Sequence, residues 1–377
     1  MADTKITAEQ AEKLLEKTRK ILRANTYDKT GYPWDGYTMI FPAYGRFPGI
    51  WNWDSAFHAI GMIPYDMSLA KDQVEGFLKF QMDNGMLPDV IFEDGRIADT
   101  YSKPPVMAYA AMRVFEASGD SEFAERVYPK LEKNTRFWER ERKGGELFHY
   151  DADRSDGCGD EEYLKRVCFE TGWDNSPRWD GGKPQNLWAV DLNCYMVMTY
   201  RAMSKLAGAV GADTSEWDKK ASELSRLIEQ RLWNEKLLAY TDYDFVKGEY
   251  SDTLTPASFM PLYAGISSAE HAANMEKIAK DHFMPGMPTV AYTDPSFEID
   301  AYWRGSSWLN VAYFAAKGLK DYGFDETADT IRNTLLCWVY NDGEDVHENY
   351  NPVTGEGLCA ARFSWSCVFV RELLENF

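Results

Sequence analysis

The sequence predicts an all-α fold: about twelve helices in six hairpins, closed into an α/α toroid. Three observations predict it. Apolar residues recur at helical spacing through most of the chain. Helices apolar on one face tend to alternate with helices apolar all round, as an outer ring packed around a buried inner ring requires. No motif recurs along the chain, which favours closure over an open solenoid built of like units.

The first helix is expected over 7–24, with Thr7 and Gln10 at capping-box spacing and Ala11, Leu14, Leu15, Thr18, Ile21 and Leu22 on one face. Helices over 53–62 and 66–83 follow, the second striped by Ala70, Val74, Phe77 and Leu78. The stretch PPVMAYAAMRVFEA places an all-round apolar helix over 104–118, succeeded by 121–142. NLWAVDLNCYMVMTYRAM supplies another within 186–210; 214–233 then carries the stripe Trp217, Ala221, Leu224, Ile228, Leu232. Helices are expected next over 253–263 and 267–280. SSWLNVAYFAAKGL marks 304–321, Ala328, Ile331, Leu335, Trp338 and Val339 stripe 324–341, and FSWSCVFVRELL gives 363–375.

Long connections at about 25–52, 84–103, 143–185, 234–252, 281–303 and 342–362 remain. Connections beyond about 12–15 residues in a compact domain are usually functional or disordered. These are rich in Trp, Tyr, Gly, Pro and Asp, which is wrong for disorder. Most precede a strongly apolar helix, so they are expected to gather at one end of the toroid and form the site there. No Pro/Ser-rich linker splits the chain, and one catalytic domain over 1–377 is expected.

Composition narrows the ligand. The 13 Trp and 22 Tyr suggest stacking surfaces, for which sugars and bases are the usual partners. Lys plus Arg total 41 against 60 Asp plus Glu, a net charge of −19, with no basic cluster to hold a nucleic acid. No apolar run reaches the roughly 18 residues of a membrane helix. The start, MADTKITAEQAEKLLEK, lacks an apolar signal-peptide centre. Six scattered cysteines with no C-x-x-C read as free thiols. The expectation is a cytoplasmic protein acting on a small carbohydrate, with no nucleic-acid or membrane partner; no feature bears on oligomeric state.

Five loop stretches mix carboxylate or Arg with Trp or Tyr: FPGIWNWDSAFHA (47–59), FQMDNGMLPDV (80–90), ETGWDNSPRWD (170–180), AYWRGSSWLN (301–310) and VHENYNPVTGEG with FSWS (346–366). Indole faces stack on the apolar faces of a pyranose, while Asp, Asn, Gln and Arg take its hydroxyls. Glycoside hydrolysis then needs a protonated carboxylic acid at the leaving oxygen and a second carboxylate opposite. The candidates are Asp54, Glu170, Asp174, Asp180, Asp300, Glu344 and Glu348. Asp174 follows Trp173, an apolar wall able to keep it protonated. Glu348 is flanked by the donors His347, Asn349 and Tyr350. Asp54, at a helix start, is either an N-cap or a clamp on sugar hydroxyls. The five His show no H-E-x-x-H, so no metal or cofactor is implied. DADRSDGCGDEE (151–162) resembles a calcium loop, but its Gly157 falls one place late, and an acidic surface loop is expected.

With these residues in hand, the chain resembles glycoside hydrolase family 63, the inverting α-glucosidase family related to trehalases. The matching features are W-x-W-D-S at Trp51–Ser55, G-x-x-P at Gly85–Pro88, D-N-S-P-R-W-D at 174–180 and Y-W-R-G at 302–305. H-E-N-Y-N-P-x-T-G at 347–355 and F-S-W-S at 363–366 complete the set, in the family's order. The resemblance implies an (α/α)6 barrel that hydrolyses an α-glycosidic bond with inversion. By position, Asp174 matches the general acid and Glu348 the general base. Trp53, Asp54, Gln81, Trp303 and Arg304 match positions that line the sugar site, with Arg178 and Trp179 beside the acid. Trp51, Trp173 and Trp365, within the same stretches, complete the expected lining. The chain looks like little more than the barrel, similar to compact bacterial members that cleave mannosylglycerate or glucosylglycerate. Glycerate needs a cationic partner, for which Arg46 and Arg362 are the candidates. Two rival readings stand beside this one: a sugar epimerase using His58 or His347, and a non-catalytic glycan-binding module, for which two placed carboxylates are superfluous.

Overall fold

The helices form where the apolar periodicity places them, with ends set by local chemistry, in a computed structural model that describes residues 5–27, 31–181 and 183–377. In chain order they are α1 (Ala8–Ala24), α2 (Asn52–Met62), α3 (Met67–Leu78), α4 (Met107–Ser118), α5 (Ser121–Glu141), α6 (Asp160–Thr171) and α7 (Val190–Ala209). Then come α8 (Ser215–Arg231), α9 (Met260–Tyr263), α10 (Ala269–His282), α11 (Leu309–Asp321), α12 (Asp325–Asn341) and α13 (Ser364–Glu375). The architecture is all-α, with strands confined to short antiparallel ribbons in the connections. Among the described residues no helix is long and apolar enough to cross a membrane, and all six cysteines are free.

Burial follows the expected alternation except at α4, expected to be apolar all round, which buries only Met107, Ala108, Ala110, Ala111 and Val114. All residues of α2 are buried, and α7, α11 and α13 are buried around most of their circumference. By contrast α1 buries Leu14, Thr18, Ile21 and Leu22 alone, and α10 only Ala272, Met275 and Ala279.

The chain forms two compact units, one of residues 25–174 and 183–227, the other of 1–24, 175–182 and 228–377. In the first, α2 packs on α3 and α4, and α4 on α5 and α7. In the second, α11 packs on α9, α12 and α13, and α13 on α1.

Several boundaries have a visible cause. The capping box of α1 is reciprocal: Thr7 N donates to Gln10 Oε1 at 2.9 Å and Gln10 N to Thr7 Oγ1 at 3.2 Å. α4 starts at Met107 because Pro104 and Pro105 hold the preceding backbone extended. α3 ends at Leu78, short of 83, so Gln81 lies beyond the helix. α11 begins at Leu309 rather than 304 because Ser307 exchanges backbone hydrogen bonds with Tyr350, at 2.8 and 2.9 Å.

Two helices depart from expectation: α9 is a single turn, Met260–Tyr263, after a 3-10 turn at Pro256–Phe259 rather than a helix over 253–263, and α6 lies inside 143–185, expected as a connection. It buries only Tyr163, Val167, Glu170 and Thr171, too sparse a stripe for apolar periodicity to reveal. Its signals are polar instead, three acidic residues in the first turn and Gly172 as a left-handed cap at φ 73°. Glu162 therefore stands in a helix rather than closing a loop. The carboxylates nearby have partners of their own, Asp151 accepting from Tyr163 Oη at 2.5 Å and Asp156 from Arg166 Nη2 at 2.8 Å.

Gly172 is doubly constrained, because a Cβ there would lie 2.4 Å from the Trp53 ring. Gly172→Ala is expected to cost about 1–2 kcal/mol for the left-handed backbone, with about 1–3 kcal/mol more for displacing the indole. Denaturant unfolding checks this; an unchanged midpoint would remove Gly172 from the account.

Candidate active site

Within the unit of residues 25–174 and 183–227, Asp174 stands at the end of a tightly built segment. The ribbon strand Gly49–Trp51 pairs with Val90–Phe92 and feeds directly into α2. Trp51 is the N-cap residue and offers no side-chain cap, its ring meeting Phe47 and Phe92 edge-on. Asp54 is thus not the N-cap; it lies buried in the first helical turn. Trp53 is buried over Gly172, which ends α6 and turns the chain into Trp173 and Asp174. Trp173 is fully buried, its backbone N–H held by Thr171 Oγ1 at 2.9 Å.

The Asp174 side chain remains 29% exposed, and its Oδ1 lies 4.0 Å from the Lys103 ammonium. Burial pushes the Asp174 carboxyl up, and Lys103 opposes that rise. Lys103 Nζ also stands 3.5 Å from Asp89 Oδ1, whose carboxyl burial pushes up to about 6. Glu170 lies outside this cluster. Fully buried, it accepts from Arg142 Nε and Nη2, both at 2.9 Å, and from the backbone N–H of Ser102 (3.1 Å) and Asp151 (2.7 Å). That is an anchor for the loop carrying Lys103. Gln81 gives its amide to the carbonyls of Gly85 (3.1 Å) and Lys130 (2.8 Å).

The other unit holds Glu348. Its backbone pairs with Ala360, and its buried carboxylate accepts from Tyr302 Oη at 2.8 Å and Ala360 N at 3.2 Å. Two of the flanking donors expected from sequence, His347 and Tyr350, turn to a different carboxylate. His347 Nδ1 bonds Asp342 at 2.7 Å and Tyr350 Oη donates to the same carboxylate at 3.0 Å. Both true donors sit on or beside strained backbone: Asp300, Tyr302, Cys359 and Arg362 are left-handed, with φ of 66°, 63°, 64° and 54°.

Aromatic packing fixes this segment. Trp303 stacks on Trp308 at 4.0 Å and 11°, and Trp365 meets Trp308 edge-on at 5.6 Å. Asn175 receives the Trp303 N–H at 2.9 Å and donates to Ala301 O at 3.0 Å, locking the turn after Asp174 to the Tyr302 segment. Arg178 makes a buried bidentate pair with Asp242, both contacts 2.8 Å, with its guanidinium over Trp179. Arg304 bridges Asp180 and Glu298. Among the remaining carboxylates, Asp300 accepts from Asn351 at 2.7 Å and Glu344 is a surface group beside Lys20. Arg46 is exposed, and Arg362 is 71% exposed beside Asp345. His58 is buried in α2, where burial pushes it down to about 3 and keeps it neutral.

Lys103, Asp89, Tyr302 and the Ala360 N–H escape sequence reasoning as functional groups. Tyr302 stands in the Y-W-R-G stretch and Asp89 lies near the end of FQMDNGMLPDV, so both were within reach. Lys103 has a weaker signal, a lone cation held extended before two prolines. A backbone donor such as Ala360 N leaves none.

Comparison with known proteins identifies the family. The family described as mannosylglycerate hydrolase MGH1-like glycoside hydrolase domain matches residues 47–366. Mannosylglycerate hydrolase MGH1 of Selaginella moellendorffii is 27% identical over 93% of this chain and 83% of its own length. The glycoside hydrolase family 63 mannosylglycerate hydrolase of Thermus thermophilus, solved with glucose, superposes with TM-score 0.80 at 26% identity, covering 97% of this chain and 100% of that one. Its complex with Tris and D-glycerate gives 0.82 at 24% identity over the same shares. The fold is accordingly the (α/α)6 barrel, and an enzyme replaces the glycan-binding module and epimerase readings. The chain belongs to the mannosylglycerate hydrolase MGH1-like glycoside hydrolase family.

Proposed function

We propose that this glycoside hydrolase, reading 1–377 as one catalytic domain, cleaves the α-glycosidic bond of a small glycoside with inversion, Asp174 acting as general acid and Glu348 as general base. The observation that carries the assignment is the contrast between the two carboxyl groups. Burial favours the protonated form of Asp174, which an acid needs. Glu348 instead accepts from a phenol and a backbone N–H, a setting that fits a carboxylate aimed at a water. Inversion requires about 6.5–9.5 Å between the two groups, leaving room for that water. Trp51, Trp53, Asp54, Gln81, Trp173, Trp179, Trp303 and Trp365 are the proposed sugar lining; Arg178 and Arg304, committed to carboxylates, act by shaping it.

The substrate class is an α-glucoside or α-mannoside of glycosylglycerate type. Support comes from the relatives, named mannosylglycerate hydrolases, and from the solved neighbours holding glucose and D-glycerate. The free cysteines fit a reducing compartment, and we place the enzyme in the cytoplasm. The test is release of free sugar from mannosylglycerate, glucosylglycerate, trehalose, kojibiose, nigerose and maltose. Fastest release from a glycosylglycerate is expected, and turnover of none of the six refutes the reading.

Tyr302→Phe isolates one element of the base. Losing a hydrogen bond to a charged group is worth about 1.5–3 kcal/mol. Steady-state kinetics should show kcat about tenfold to a hundredfold lower, with KM little changed. An unaltered kcat would free Glu348 from dependence on that phenol.

A further inference from the structure

We propose that Asp89 is a positioning residue: it holds the Lys103 ammonium away from Asp174 and so sets the pH range over which Asp174 works. This rests on Asp174 being the general acid. The three groups belong to one unit and form one cluster, with Asp89 and Lys103 buried and Asp174 partly exposed. Lys103 cannot easily move as a whole, because the backbone on either side is tied down. Ser102 N donates to Glu170 at 3.1 Å, Ser102 Oγ to Leu87 O at 2.7 Å, and Thr199 Oγ1 to Pro105 O at 2.8 Å. Two prolines then follow Lys103 and hold it extended. The freedom left is that of the buried side chain, and its ammonium lies among three acceptors: Phe169 O, Asp89 Oδ1 at 3.5 Å and Asp174 Oδ1 at 4.0 Å.

Asp89 is equally fixed. Its N–H donates to Ala98 O and its carbonyl accepts from Asn52 N, both at 2.9 Å, while Tyr101 hydrogen-bonds its carboxylate. Asp54 on α2 adds a further attraction to Lys103, and Cys168 on α6 feels Asp174. The charges decide the outcome. An ammonium about 4–6 Å from a carboxyl lowers its pKa by about 1–3 units when nothing competes for it. Such a lysine, left alone with Asp174, would favour the ionised form of the acid and oppose the rise that burial imposes. With Asp89 taking its charge, the pair is neutral overall and its pull on the Asp174 carboxyl is weakened.

The test is the pH dependence of kcat/KM for Asp89→Asn and Lys103→Met, with folding verified by near-UV circular dichroism. The amide leaves Lys103 with Asp174 as its nearest carboxylate, so the alkaline limb should fall by about one pH unit. Lys103→Met removes the cation and should raise that limb by a similar amount. Either variant alone suffices if the other does not fold. A folded variant with lowered kcat and an unmoved alkaline limb overturns the proposal and leaves Asp89 a structural residue. Failure of the underlying reading looks different: Asp174→Asn would then turn over the glycoside at the wild-type rate, wherever the limbs lie.

Discussion

Asp174→Asn is expected to lower kcat on an α-glycoside by about 10²- to 10⁴-fold, with KM little changed. The amide matches the carboxyl in shape, so the turn at 174–177 and the Lys103 cluster can persist. What disappears is the proton for the departing oxygen. The loss should therefore scale with the leaving group. An α-glycosyl fluoride departs without full proton transfer, and the same variant should hydrolyse it with a much smaller deficit. Equal losses on both substrates would mean that Asp174 serves binding or folding. The pH dependence carries the same signature. A general acid must be protonated, so activity falls as pH rises through its pKa. Because burial raises Asp174, that alkaline limb should lie above the ordinary carboxylate range.

Glu348→Gln is expected to be as severe, about 10²- to 10⁴-fold in kcat, for the opposite reason. The base must take a proton from water, and an amide has no basic lone pair to do so. The substitution also tests the local geometry. One of the two oxygens becomes an N–H₂ group, which cannot face the Ala360 N–H without a clash of donors. The Tyr302 hydroxyl can reverse its role and accept instead. A folded protein is expected, with the amide oxygen toward Ala360 and the nitrogen toward Tyr302. Unlike the acid variant, this one should be equally crippled on a glycosyl fluoride, since water attack is still required. Substantial fluoride hydrolysis by Glu348→Gln would falsify the assignment of the base.

Most of the helical framework was legible because burial writes itself into apolar spacing. The stripe of α1 and the all-round apolar faces of α7, α11 and α13 are direct records of what each helix packs against. α6 was not legible, since its role is to carry Glu170 and Gly172 rather than to cover a core. Its polar face reads as a loop until the buried Arg142–Glu170 pair is seen. The two carboxylates of the proposed mechanism were legible as residue types in aromatic-rich loops, but their partners were not. Glu348 has three eligible donors beside it in sequence, yet His347 Nδ1 and Tyr350 Oη turn to Asp342. Glu348 uses Tyr302, 46 residues away, and a backbone amide. The Arg178–Asp242 pair likewise spans 64 residues. Such choices depend on tertiary placement, which a single sequence does not record.

Inversion at the anomeric carbon is the central claim, because it requires two separate carboxyl groups, one as acid and one as water-activating base, in a single displacement. The direct measurement is proton NMR of the sugar released in the first minutes of turnover of an α-glycosylglycerate, before mutarotation blurs the configuration. The β-anomer should form first and decay toward the equilibrium mixture. Initial formation of the α-anomer would show retention, and with it a covalent intermediate that leaves no place for Glu348 as a base acting on water.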